Sequence, residues 1–258
     1  ACTPFSWHKD AFKIARRHNK VIFSSPFSLR AVDLLENLGC KLYKIASFEI
    51  TDLKLIRYIA SKNKPIIIST GMASEKEIKG AIKEIKKFHS KIIILHCVSS
   101  YPTEIEDTNL KKIKKLKSLY KNCLVGLSDH TKDIISSVAS IPLEVVAIEK
   151  HFKIDNKVKT TDSSFSITPE QLKNLKNYSI GLHKSFKNKN KEVEKISKKL
   201  RRSIFAKKDI KKKEKLTTKN IETLRPFIGM CASKYFDIIG KSVKININKG
   251  DSIKKKFL

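Results

Sequence analysis

The chain has 258 residues, 40% of them hydrophobic, and a formal net charge of +30 at pH 7, enough apolar material for one large α/β domain or a barrel with a small appendage. No apolar run approaches the length of a membrane span and no charged-then-apolar leader opens the chain at Ala1, so a soluble cytoplasmic protein with no membrane role is expected. The charge would suit nucleic acid, but only seven of the 55 basic residues are arginine, the lysines cover nearly every predicted helix face, and no nucleic-acid-reading motif accompanies them; a basic field of this kind would draw in small anionic substrates instead.

Six apolar runs follow one another along the chain: VIFSSPF (21–27), LYKIAS (42–47), PIIIST (65–70), KIIILHCVSS (91–100), CLVGLSDH (123–130) and EVVAIEKHF (144–152). They are continuously apolar, not alternating, and rich in Ile and Val, which predicts parallel strands buried on both faces. The intervening segments predict helices. LRAVDLLENLG has helical apolar spacing and stops at Gly39. SEKEIKGAIKEIKKF opens with a capping box from Ser74 to Glu77, and TPEQLKNLKNY with Thr168 as cap, Pro169 in the first turn and Gln171 closing the box.

Repeated β–α units predict a parallel α/β fold. No strand is followed by a GxGxxG loop, which argues against a dinucleotide-binding sheet. Every predicted strand ends on polar residues: Ser24 and Ser25, Ser47 and Glu49, Ser69 and Thr70, Ser99 and Tyr101, Ser128 and His130, Lys150 and His151. In a (β/α)₈ TIM-type barrel all such ends converge on one mouth. Six strands are two short of eight, so the first two β–α units are expected to lie before Ala1. The expected organisation is a partial barrel over 1–186, a polar linker over 187–199, and a small, mostly β module over 200–258. In that module, RRSIFAKKDIKKKEKLT and GKSVKININKGDSIKKK echo each other.

The five cysteines, Cys2, Cys40, Cys97, Cys123 and Cys231, are scattered and never form a CxxC pair, so most are expected to fill the core and neither a disulfide framework nor a zinc site is expected. Hydroxyls at several strand ends, with Lys44 nearby, form a plausible cradle for a phosphorylated or carboxylated ligand. Two imidazoles at neighbouring strand ends, with Glu49 or Asp162 near, could hold a divalent metal, of a kind nearer Mn, Fe, Co or Zn than Mg or Ca. Each of these groups also has a plainer reading, as a turn former, a helix cap or a satisfied polar side chain. The residues by themselves reach a metal-assisted barrel enzyme acting on an anionic small molecule.

The blocks FSSPF, YKIASFEI, IISTGMAS, HCVSSYPT, GLSDHT, IEKHF and RRSIFAKKDI…LTTKNIETLRP go further. They resemble, in order and over nearly the whole chain, the bacterial nonulosonic acid synthases, which make sialic, legionaminic or pseudaminic acid. CTPFSWHKDAF and AVDLLE are most similar to the pseudaminic group. The resemblance implies a (β/α)₈ barrel followed by an antifreeze-like (SAF) domain. It implies condensation of phosphoenolpyruvate with the open aldehyde form of an N-acetylated amino sugar, with loss of phosphate by C–O cleavage.

It also implies roles for particular residues. His130 and His151 would hold a divalent metal, Mn²⁺ foremost with Mg²⁺ or Co²⁺ as alternatives. Lys44, Ser47, Ser69, Ser99, Ser128 and Ser25 would hold phosphoenolpyruvate. Glu49, Asp162, Tyr101 and Phe27 would surround the sugar, with Glu49 counted among the catalytic groups. Arg225 would reach over a partner's active site in a domain-swapped homodimer.

Three departures stand out. The sequence has Thr160-Thr161-Asp162, RPFIG and IKKKEKL where glycine is usual before Asp162, after Pro226 and before Glu214, which is expected to loosen those turns. The resemblance also places a catalytic-site Glu, a phosphate-binding Lys and sugar-contacting amides in the two units before Ala1. Residues 1–258 alone are therefore expected to be inactive and poorly soluble. The alternative readings are an N-acetylneuraminic or legionaminic acid synthase, and a non-catalytic remnant that keeps the fold and binds sugar or a partner subunit.

Overall fold

The computed structural model describes residues 3–157, 159–187 and 193–258. The chain divides into two compact units, Ala1–Lys187 and Asn188–Leu258. None of its described helices is long and apolar enough to cross a membrane.

The first unit starts with two helices, α1 (Phe5–Arg17) and α2 (Leu29–Asn37). Strands and helices then alternate: β1 (Tyr43–Ile45), α3 (Leu53–Ala60), β2 (Ile66–Ser69), α4 (Glu75–Lys86), β3 (Ile92–Cys97), α5 (Lys111–Leu119), β4 (Leu124–Asp129), α6 (Ile135–Ser140) and β5 (Ile148–Lys150), followed by α7 (Pro169–Ser185). The five strands form one parallel sheet in sequential order, curled as half of a TIM-type barrel. Ile45, Ile66, Ile68, Ile92 and Ile94 on the strands are at most 3% exposed, as are Leu55, Ile56 and Ile59 on α3 and Ile78 and Ile85 on α4. The helical residues recur three or four positions apart, so each helix turns one apolar stripe onto the sheet. Full burial of each such side chain contributes roughly 1.5–3 kcal/mol relative to exposure.

The helix boundaries follow from the caps. Ser74 Oγ accepts from Glu77 N while Glu77 Oε2 accepts from Ser74 N, and Thr168 and Gln171 repeat the arrangement on α7. Gly39, at φ +74°, ends the turn after α2. The predicted strand at 21–27 is a correction. It is extended chain, not strand: Lys44 N donates to Ser24 O at 3.3 Å, a single bond to β1, and Pro26 has no N–H to extend the ladder. Val21, Phe23 and Phe27 are exposed, so apolar composition here ensures neither burial nor a ladder.

The expected linker, 187–199, includes a short helix. Val193–Lys198 forms helix α8, consistent with a segment of Glu, Lys and Ile with no Gly or Pro; residues 188–192, like Cys2, lie outside the described residues. In the second unit β6 (Ser203–Ala206) pairs antiparallel with β7 (Ile221–Leu224), and α9 (Tyr235–Ile238) follows. The bridges Phe205↔Ser252, Ile210↔Ile247 and Lys215↔Ser242 share one antiparallel register. The two echoing segments thus lie against each other, and Ile204, Ile210, Leu216, Val243, Ile247 and Ile253 form the core between them. Of the positions where glycine was missed, only Lys213 adopts a positive φ, +71°; Thr160, Thr161 and Phe227 keep ordinary backbone.

Candidate functional site

The C-terminal ends of β1 to β5 surround a cleft of about 300 Å³. Ser25, Lys44, Ser47 and Ser69 line it from the first strands, and Tyr101, Ser128, His130 and His151 from the later ones. A larger groove of about 530 Å³ runs outside α2 to α4, lined by residues such as Leu53, Arg57, Tyr58 and Phe88, but no imidazole lines it and it lies away from the strand ends.

Sheet register explains the convergence. Cys97 pairs with Ser128, and Asp129 with Lys150 as the last step of the β4–β5 ladder. His130 and His151 each follow by one residue and so leave the sheet at the same level. Their ring centroids lie 5.4 Å apart at an interplanar angle of 63°. Nδ1 of His130 is 2.8 Å from the Val98 carbonyl, which can only accept, so this nitrogen carries the proton and Nε2 presents its lone pair. Nδ1 of His151 lies 3.4 Å from Asp162 Oδ2, a carboxylate that accepts the Nδ1 proton and leaves Nε2 as the lone-pair nitrogen of the neutral ring. Tyr101 stacks beside His130 at 4.3 Å between centroids, and Phe165, 2% exposed, packs on His151 at 4.8 Å.

Burial alone would lower the pKa of His130; contacts with Cys97 and the Val98 carbonyl, and the charge of Glu149, outweigh it and the net shift is upward. Burial and the neighbouring His130 lower that of His151. The Cys97 thiol would rise on burial, but the His130, Ser47 and Ser99 contacts bring it below its ordinary value.

Lys44 is 6% exposed, with its ammonium 3.3 Å from Glu149 Oε2. Ser69 Oγ and Glu49 Oε2 are buried without a hydrogen-bond partner, a costly state unless a ligand completes them. Burial raises the pKa of Glu49, against the opposing pull of Lys44. Gly71, at φ +33°, comes so close to the hydroxyls that a Cβ there would lie 2.4 Å from Ser99 Oγ and 2.5 Å from Ser47 Cβ.

Not every expected residue lines the cleft. Ser99 borders it, with Oγ 3.8 Å from Cys97 Sγ, and Asp162 reaches it through His151. Glu49 ends the 3₁₀ turn that begins at Ser47. Phe27 is 65% exposed and lines a neighbouring hollow with Ser25 and Ser28. Arg225 belongs to the second unit, exposed, just after β7 and before a cis bond to Pro226. Sequence reading missed Cys97, Glu149, Phe165 and Gly71 as parts of this site, and had Lys150 only as a polar strand end. Cys97 passes for a core filler in an apolar strand, and only the register with Ser128 shows which way it faces.

Among the described residues no three or more His, Cys, Asp or Glu side chains gather into a cation cage. The two Nε2 atoms, that of His130 also 3.4 Å from Ser128 Oγ, are the ring nitrogens left for a divalent ion whose other ligands are oxygens of substrate or water.

The model of the NeuB family matches residues 1–191, and that of the SAF domain residues 201–258. Pseudaminic acid synthase of Helicobacter pylori is 40% identical over 246 residues, covering 93% of this chain and 72% of that protein. N,N'-diacetyllegionaminic acid synthase of Campylobacter jejuni is 38% identical over 259 residues, covering 96% and 76%. The crystal structure of N-acetylneuraminic acid (sialic acid) synthetase from Leptospira borgpetersenii, in complex with citrate, superposes with a TM-score of 0.71 at 30% identity, over 76% of this chain and 69% of that one.

Proposed function

The chain belongs to the NeuB family, and from that premise we propose that it serves the condensation of phosphoenolpyruvate with an N-acetylated amino sugar aldehyde, giving a nonulosonic acid and phosphate. The observation that carries this reading is the meeting of Lys44, the hydroxyls of Ser47, Ser69 and Ser128, and two imidazoles in one cleft. Lys44 supplies a buried positive charge for the carboxylate or phosphate of phosphoenolpyruvate, and the serines donate hydrogen bonds that fix its orientation. Ser25 and Ser99 extend this set. The bond forms between C3 of phosphoenolpyruvate and the aldehyde carbon; water adds at C2, and the C2–O bond to phosphate breaks. Glu49, kept protonated to higher pH by burial, holds or takes a proton beside the sugar. Asp162, Tyr101 and Phe27 flank that sugar.

His130 and His151 would hold the divalent cation, Mn²⁺ foremost with Mg²⁺ or Co²⁺ as alternatives, which when bound supplies Lewis acidity toward the aldehyde oxygen. Pseudaminic acid is the leading product. Identities of 40% and 38% to pseudaminic and legionaminic acid synthases keep the second sugar as the alternative. The same reading gives Arg225 a place over a partner's cleft in a domain-swapped homodimer, working in the cytoplasm. The chain covers 72% and 76% of those two synthases, so a chain carrying two further β–α units ahead of Ala1 is the second form to assay.

The test is phosphate release from phosphoenolpyruvate with Mn²⁺ and each amino sugar in turn, for residues 1–258 and for a chain extended by those units. Release by the extended chain with one sugar identifies the substrate. Release by neither, with every sugar, overturns the reading and leaves the non-catalytic remnant. His130→Ala in the active chain is expected to abolish Mn²⁺-stimulated release while the circular dichroism of the barrel is kept; full activity would remove the metal role.

A further inference from the structure

Resting on the metal reading above, we propose that the buried ion pair Asp129–Lys150 is a positioning device that sets the spacing of the two imidazoles and so tunes cation affinity. Lys150 Nζ lies 3.1 Å from Asp129 Oδ2, with side chains 3% and 1% exposed. These two residues are the last pair of the β4–β5 ladder, each one step before a histidine. The ladder itself is short, from Leu127↔Ile148 to Asp129↔Lys150; on the other side of the chain the end of β5 is held by the isolated bridge Phe152↔Ile167, with Ile167 N donating to His151 O at 2.8 Å, so on the β4 side the tie beyond the ladder is made by side chains.

The ion pair also grips the backbone around His130. Asp129 Oδ1 accepts from Thr131 N at 2.9 Å and Oδ2 from Ser137 Oγ at 2.5 Å. Lys150 Nζ donates to Thr131 O at 2.5 Å and to its Oγ1 at 3.1 Å. The ammonium is thereby engaged by Asp129 and Thr131. Residues on both sides of His130 are fixed to β5, and residue 150 carries His151 with it. Groups behind metal-binding imidazoles typically change affinity about 10–100-fold when lost.

The experiment is Mn²⁺ titration of the chain without substrate, read by the electron paramagnetic resonance of free Mn²⁺, with thermal melting alongside. Lys150→Met is expected to weaken Mn²⁺ binding about tenfold or more while melting cooperatively, and Lys150→Arg to restore it to within a few-fold. Should Lys150→Met not fold, the double variant Asp129→Asn with Lys150→Met leaves no unpaired buried charge and is read in the same way. Wild-type affinity in a folded Lys150→Met or double variant overturns the proposal. If affinity falls in His130→Ala but not in Lys150→Met, the metal reading stands and the positioning role fails. A wild-type chain that binds no Mn²⁺ overturns both.

Discussion

At the scale of single residues, the site is built from groups whose burial is costly. Glu49 is the clearest: its Oε2 is buried without a partner and its carboxyl is pushed up by desolvation. A carboxyl with a raised folded pKa favours folding at pH below its unfolded value, near ~4.3, and opposes it as pH rises through the folded value. Glu49→Gln is therefore expected to melt at a higher temperature than the parent at pH 7, with the gain shrinking below about pH 4. The same variant is expected to lose phosphate release. Higher stability with unchanged turnover would make Glu49 a bystander; lower stability at pH 7 would contradict the desolvation account. Gly71 gives a second expectation. A methyl at 2.4 Å from Ser99 Oγ must displace the hydroxyls, so Gly71→Ala is expected to raise KM for phosphoenolpyruvate by tenfold or more. An unchanged KM would show that the serines can yield.

At the scale of elements, caps and periodicity made much of the fold legible. Ser74 with Glu77, Thr168 with Gln171, and Gly39 can be read from local chemistry, and the structure has them where the sequence predicts. Continuous Ile-rich runs identify the parallel sheet because no other element buries both faces over so few residues. The segment 21–27 misled for a physical reason: a ladder depends on backbone neighbours that a sequence does not display, and Val21, Phe23 and Phe27 stay exposed despite their apolar character. The strand-end serines and histidines were visible as a set, with Lys150 among them, but Gly71 and Cys97 were not, since their part depends on register and on contacts across strands. Lys213 shows what local rules do carry. It sits at φ +71°, where a side chain costs roughly 1 kcal/mol or more. Lys213→Gly is expected to stabilise the second unit by about 1 kcal/mol, seen as a higher denaturation midpoint. A lower midpoint would mean that the glycine's added freedom when unfolded outweighs the relief.

At the scale of the whole molecule, the net charge of +30 surrounds a cleft proposed to take an anion. Such a field speeds encounter and is screened over a Debye length of about 10 Å at 0.1 M salt. Raising KCl from about 0.05 to 0.5 M is expected to lower kcat/KM for phosphoenolpyruvate several-fold, with kcat changed much less. A salt-independent kcat/KM would confine attraction to Lys44 and its immediate neighbours. The second unit has a different lesson in its pairing of 205 with 252, 210 with 247 and 215 with 242. Its two halves clasp each other across the core, and every bridge of that clasp joins a residue before Gly240 to one after it. Severing the peptide there would leave two pieces that recognise one another, so separately made halves should find and refold on each other when mixed.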